Sequence, residues 1–234
     1  MPIGTVITDR AYANKGDKIT LKVDEKIYYG GAWTTKLEVT DTTADMDDAE
    51  GRFVYCVQPS KYTPGPGQYT IDKEYTDETD GKGAKIRKLL YYSKGFAGYS
   101  KHGGKAVWAD KGFTGDMAYV AAHLCLSFLY KNDAWSDDFW GFSDTQKTNA
   151  KAAMNTLLSS AYDDPPESFR CFIIQTSGYQ DYVGGYYEQK GYLELQKKSE
   201  NTSVSGNNDL YSLSGAKYGV YESSSDAGSD KDRV

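Results

Sequence analysis

The chain has 234 residues and a formal net charge of −6, which argues against a nucleic-acid or anionic-membrane partner held by a basic patch. Hydrophobic residues make up 39%, enough for a real core, yet no apolar run approaches the roughly 18 residues of a membrane span. Three cysteines (Cys56, Cys125, Cys171) and two histidines (His102, His123) match no zinc spacing, so neither a metal nor a cofactor is expected. No signal peptide is expected at Met1-Pro2-Ile3-Gly4. The 21 tyrosines, set among many glycines and threonines, predict much β structure with exposed aromatic surface.

In chain order, Thr5–Thr8, Ile19–Val23 and Leu37–Thr40 read as short strands separated by glycine or aspartate turns. Asp41–Glu50 reads as a solvated acidic loop. Arg52-Phe53-Val54-Tyr55-Cys56-Val57-Gln58-Pro59-Ser60 reads as a strand closed by the proline-glycine region up to Gly67. Tyr69–Asp72 is a further strand and Thr76–Gly83 a further loop.

The pattern then becomes helical. Ile86, Leu89 and Leu90 have helical spacing, ended by Lys94-Gly95, and a glycine-rich loop is expected over Gly95–Gly104. Met117, Val120, Ala121, Leu124 and Phe128 form an apolar helical face with Asp116 as the expected N-cap. Ser143 and Gln146 form a capping box that opens a helix through Met154, Leu157 and Leu158, stopped by Pro165-Pro166. A helical section of about 84–162 is thus inserted between two β sections. After it, Phe169–Gln175 reads as a strand, Thr176–Gly178 as a turn and Tyr179–Val183 as the return strand of a hairpin. Gly191–Lys197 is a last alternating strand, and the charged, serine-rich tail from Glu222 lacks the composition to fold alone.

Cys56 lies at the centre of an apolar strand. It can be a small buried hydrophobe, or a nucleophile held on a rigid element. A thiolate can attack the side-chain amide of a neighbouring glutamine, expel ammonia and leave an internal thioester. Cys125 and Cys171 read as buried free thiols, with a disulfide between them left open. His123 has two readings, a structural helix residue or a base for the thiol or an incoming amine. His102 is expected to be exposed. Trp108, Trp135 and Trp140 read as core or loop anchors.

Tyr55-Cys56-Val57-Gln58-Pro59-Ser60, Leu89-Leu90-Tyr91-Tyr92-Ser93, the run Ala122–Tyr130 and Tyr179-Gln180-Asp181-Tyr182-Val183 together resemble the thioester domains of Gram-positive surface adhesins and pilus-tip proteins. In that family an aromatic-Cys-aliphatic motif supplies the thiol, and a hydrophobic-Gln-x-x-hydrophobic motif supplies the carbonyl. The resemblance therefore implies a cross-link between Cys56 and Gln180, with His123 as a possible base. Gln175 does not fit the second motif, because Gly178 stands at its last hydrophobic position.

The fold implied is α+β: a β-rich, sandwich- or barrel-like core with an inserted helical subdomain, residues 1–190 forming the thioester domain. Residues 191–234 resemble the truncated start of a collagen-adhesin B-type, prealbumin-like stalk repeat, a β-sandwich module, with a disordered tail. Lys197 stands where such repeats often place an isopeptide lysine, and reads here as an exposed strand lysine.

The function implied is adhesion by a single covalent reaction with a lysine amine of a host-cell or matrix protein, or with a small polyamine. Such a protein is expected to be a monomer, extracellular and cell-wall-anchored, with the anchor outside this chain. The rival readings are a hydrolase or acyl transferase using Cys56 and His123, and a non-reactive structural stalk domain.

Overall fold

The structure, a computed structural model, describes residues 15–40, 53–59, 61–74, 81–131, 139 and 141–187, all within the unit Thr8–Lys190. The expected strands Thr5–Thr8 and Gly191–Lys197, the acidic loop, Trp135, Trp140, Lys197 and the tail lie outside the described residues.

The first hairpin pairs β1 (Lys18–Tyr29) with β2 (Ala32–Val39). Both strands are longer than the apolar alternation suggests, because a bulge between Val23 and Glu25 interrupts β1. The turn is Gly30-Gly31, with φ of 49° and 82°. Two consecutive positive φ values are what a two-residue hairpin turn needs and what glycine tolerates best.

β3 (Phe53–Cys56), β4 (Gly67–Thr70) and β5 (Lys73–Glu74) follow; after the helices come β6 (Phe169–Ile174) and β7 (Tyr182–Tyr187). The seven strands form one sheet in the order β4-β1-β2-β3-β7-β6-β5, every pair antiparallel. Its two edge strands, β4 and β5, are separated in the chain only by Ile71 and Asp72. The sheet must therefore curl until its edges approach. Ile71 N donates to Asp17 O and Asp72 N to Ile173 O, each at 2.9 Å, so this corner ties the β1 end to the β6 end. Ile19, Leu21, Leu37, Val54, Cys56, Ile71, Phe172 and Tyr182 fill the interior of the curl as one cluster.

The other face of the sheet carries Phe53, Tyr55, Val57, Ile173 and Val183, packed beneath the helices. These are α1 (Lys82–Tyr91), α2 (Ala97–Ser100), α3 (Gly104–Asp110), α4 (Asp116–Tyr130) and α5 (Asp144–Leu158). Every residue of α4 from Ala118 to Leu129 is buried, as expected of a helix that is apolar nearly all round. The α5 capping box forms as read, with Ser143 and Gln146 bonding reciprocally.

Four details differ from the sequence reading. Gly95–Gly104 is not a loop but carries α2 and the start of α3. Its glycines serve close packing: a Cβ on Gly98 would lie 2.4 Å from Tyr91 Cδ1, and one on Gly104 would lie 2.9 Å from Tyr92 O. Asp116 is not an N-cap; Gly115 holds that position, and the Asp116 carboxylate instead pairs with Lys94 at 3.0 Å and Lys36 at 3.8 Å. Helix α1 begins at Lys82, inside the expected loop, after Gly81 in the left-handed region. The hairpin's return strand begins at Tyr182 rather than Tyr179, because Gln180 N donates to Tyr62 O at 3.0 Å instead of pairing with β6.

Cys125 and Cys171 are buried and form no disulfide, Cys56 is buried as well, and His102 is exposed, stacked on Tyr91. Trp108 is fully buried and donates to Tyr92 O at 3.0 Å.

Candidate functional site

The site is built where β3 and β7 run out together. Cys56 pairs with Tyr182 and Tyr55 with Val183; the ladder continues one step further, with Val57 N donating to Asp181 O at 2.9 Å. Gln180 stands two residues before Tyr182, so the chain brings it to the same end of the ladder as Cys56. Thr63, in the loop after β3, accepts at Oγ1 from Gln180 Nε2 at 3.2 Å.

Both candidate reacting groups are shielded: Cys56 is fully buried and Gln180 is 5% exposed, whereas Gln175 is exposed. The Gln180 segment is held by side chains rather than by a ladder. Thr176 Oγ1 donates to Gln180 O at 2.7 Å, and Thr176 N donates to Asp181 Oδ1 at 2.9 Å. Tyr130 donates to Asp181 Oδ2 at 2.8 Å.

Helix α4 clamps this corner from behind through one polar stripe. Tyr119 donates to Val54 O at 2.8 Å, the His123 ring meets Thr34 Oγ1 at 3.1 Å, and Ser127 Oγ lies 3.4 Å from Cys56 O. Tyr130, the Asp181 partner, completes the row. Positions 119, 123, 127 and 130 lie one above another at helical spacing, so a single face of α4 braces β2, β3 and the Gln180 segment. Sequence reasoning singled out His123 but not this stripe or Thr63. The i, i+4, i+8, i+11 recurrence of Tyr, His, Ser and Tyr within an apolar helix was the available signal.

The His123 ring bonds Thr34 rather than Cys56. It shares with Gln180, Thr63, Thr34 and Tyr62 the lining of a cavity of about 440 Å³. Lys61 and the exposed Tyr62 stand at its rim. His123 Nε2 and Gln180 Oε1 are both buried without a hydrogen-bond partner. Two unpartnered polar atoms on one cavity are costly in a purely structural site and suit one that binds a polar group.

Burial sets the electrostatics. It pushes the Cys56 thiol well above its ordinary range. It lowers the His123 ring to about 4, so the imidazole is neutral at physiological pH. Among the described residues no group of three His, Cys, Asp or Glu side chains could hold a metal, and no helix is long and apolar enough to cross a membrane.

Residues 18–166, well over half of the chain, match the family model described as a thioester domain. The chain belongs to the thioester-domain family. The matched span contains Cys56, Thr63 and His123 and ends before Gln180. Thioester domains act as covalent binding modules toward amine-bearing partners, and this chain is one of them. No curated protein matches it in sequence.

Among solved structures, the thioester domain is similar to the N-terminal domain of the Streptococcus pyogenes pilus tip adhesin Cpa. Identity is 12% and the TM-score 0.44, over 80% of this chain and 98% of that one. It is also similar to the N-terminal thioester domain of a Clostridium perfringens surface protein, solved as a cysteine-to-alanine mutant. There the identity is 13% and the TM-score 0.46, over 72% and 99%. A third likeness, to the Bacillus anthracis TIE protein, has 9% identity and a TM-score of 0.36, over 75% and 40%.

Proposed function

We propose that the thiol of Cys56 and the side-chain carbonyl of Gln180 form the internal thioester of this domain, and that it is opened once by a primary amine of a partner. The carrying observation is that two buried residues, Cys56 and Gln180, come to the same end of the β3–β7 ladder, where Cys56 pairs with Tyr182 and Val57 with Asp181. On closure, Cys56 Sγ attacks Gln180 Cδ and ammonia leaves. On opening, the amine nitrogen attacks the same carbon, the carbon–sulfur bond breaks, and Cys56 is released as a thiol. The product is an amide between Gln180 and the partner. No group is regenerated, so each molecule reacts once and the domain is a single-turnover binder rather than an enzyme.

The cavity beside Gln180, His123 and Thr63 gives the amine an approach that does not pass through the sheet interior. The partner we infer is a lysine of a host-cell or matrix protein, or a small polyamine. The setting we infer is extracellular, on a cell-wall-anchored Gram-positive surface protein. His123 is neutral at physiological pH and faces the same cavity, so its ring can accept a hydrogen bond from an incoming amine that already carries a free lone pair.

The hydrolase reading has less support. An activated Cys–His pair lowers the thiol and raises the imidazole, whereas here burial moves both the opposite way, and His123 bonds Thr34. The structural-stalk reading leaves the unpartnered Gln180 Oε1 without a purpose.

The test is incubation with methylamine followed by peptide mapping. The expected result is an adduct on the Gln180 peptide in wild type and in Gln175→Ala, and none in Cys56→Ala. An adduct that survives Cys56→Ala would contradict the proposal.

A further inference from the structure

Exposed aromatic side chains gather around the mouth of the cavity beside Gln180. Among the described residues the exposed large hydrophobic side chains are Val23, Tyr28, Trp33, Tyr62 and Tyr179. Trp33 and Tyr62 line the cavity, Tyr28 stands directly opposite Trp33 in the β1–β2 ladder, and Tyr179 precedes Gln180 in the chain. Gln180 N donates to Tyr62 O at 3.0 Å, which ties the Tyr62 and Tyr179 segments together. Exposed apolar side chains scattered singly need no explanation, but a cluster at one opening marks a contact surface.

The same opening is positively charged, although the chain as a whole carries a net charge of −6. Lys61 is exposed and lines the cavity, and among the described lining residues no side chain is acidic. Lys26 Nζ lies 3.7 Å from the centroid of the Trp33 ring and 5.4 Å from that of Tyr28, so a second cation is held on the aromatic surface.

We propose that this surface docks the stretch of a partner protein on either side of its reacting lysine, and that it prefers stretches rich in aspartate and glutamate. The inference rests on the Cys56–Gln180 reading above. Gln180 is 5% exposed, so the attacking nitrogen must pass below the surface, into a cavity of about 440 Å³. The backbone that bears the lysine stays outside, and its neighbours cross the mouth at about 3.3 Å per residue. There the lysine methylenes pack on Trp33 and Tyr62, and flanking carboxylates meet Lys61 and Lys26. A free polyamine is in the opposite position, since it is cationic throughout and meets a cation with no carboxylate among the described lining residues. Lys61 also disfavours the ammonium form of the entering group, and so favours the neutral amine that can attack.

Three acetylated and amidated peptides with one lysine each test this, the lysine being flanked by Asp and Glu, by Gly and Ser, or by Arg. Adduct formation is followed by intact mass, and each rate is divided by the methylamine rate of the same variant. In wild type the acidic peptide is expected to react about 5-fold faster than the Gly/Ser peptide at low salt, and the Arg peptide slower than both. The differences should shrink in about 0.5 M NaCl. Lys61→Glu is expected to invert the order of the acidic and Arg peptides, and Trp33→Ala to lower all three ratios by about 10-fold. Should Lys61→Glu fail to fold, the wild-type salt dependence decides. Equal ratios for the three peptides, an order untouched by salt or by Lys61→Glu, spermidine reacting faster than the acidic peptide, or a covalent dimer formed by the protein alone would overturn the proposal. Methylamine uptake without any peptide preference leaves the thioester standing and removes only this surface. A wild type that takes up no methylamine would instead overturn the thioester itself, and the docking surface with it.

Discussion

Gln180 Nε2 donates to the Thr63 hydroxyl at 3.2 Å, two residues beyond the point where Tyr182 pairs with Cys56 at the end of the β3–β7 ladder. The ladder holds the Cys56 backbone, and bonds to Thr176 and Tyr62 hold that of Gln180. Held in this way, a weak nucleophile and a weak electrophile gain an effective molarity that free side chains lack. Burial also explains persistence, since a thiol pushed well above its usual range makes a poor leaving group until a proton arrives.

All three cysteines are buried, so native protein is expected to label at none of them with a maleimide. Denatured quickly at mildly acidic pH, freshly prepared protein should show only Cys125 and Cys171 as free thiols, because Cys56 is esterified. After methylamine treatment Cys56 should label too. Quantifying labelled peptides by mass spectrometry checks this.

The neutral, buried His123 couples stability to pH. Its folded value of about 4 lies below its ordinary 6.5, so its contribution is fully present above about pH 6.5 and is lost as pH falls through about 4. The change is on the order of 3 kcal/mol across that window. Urea unfolding at several pH values should show this fall in wild type and a flatter profile in His123→Gln.

Gly184 lies opposite Phe172 in the β6–β7 ladder, and a Cβ there would stand 2.4 Å from Phe172 Cζ and 2.9 Å from Val54 Cγ1. Gly184→Ala is expected to destabilise by about 1–3 kcal/mol through overpacking. A denaturant melt with an unchanged slope and a lower midpoint is the expected signature.

Tyr130→Phe removes the α4 donor to Asp181 Oδ2 while leaving the ring in place. The expected loss is about 1–2 kcal/mol, since the acceptor is the carboxylate of the buried Asp181. The thioester should still form, because Asp181 keeps its contact with Thr176. Equilibrium unfolding and intact mass on one sample separate the two effects.

The elements that were readable from residues alone are those with strong local chemistry. Ser143 with Gln146, the apolar run through α4 and the aromatic strand around Cys56 each carried their own signal. The extent of β1 was hidden by the bulge at Val23 and Glu25, which breaks alternation. Gly98 and Gly104 looked like loop residues because a glycine used for close packing is indistinguishable, one residue at a time, from a glycine used for a turn. Of the site, Cys56 and Gln180 were legible only as family motifs. Thr63 was not, since its role depends on a loop folding back beside two strands that are distant in sequence.

The mass of the intact, freshly purified protein under non-amine buffer reports the Cys56–Gln180 bond without any label. A mass lower than that of the sequence by one ammonia is expected in wild type and in Gln175→Ala, and the full sequence mass in Cys56→Ala and Gln180→Ala. A wild-type protein at full sequence mass, unchanged by storage in ammonia-free buffer, would contradict it.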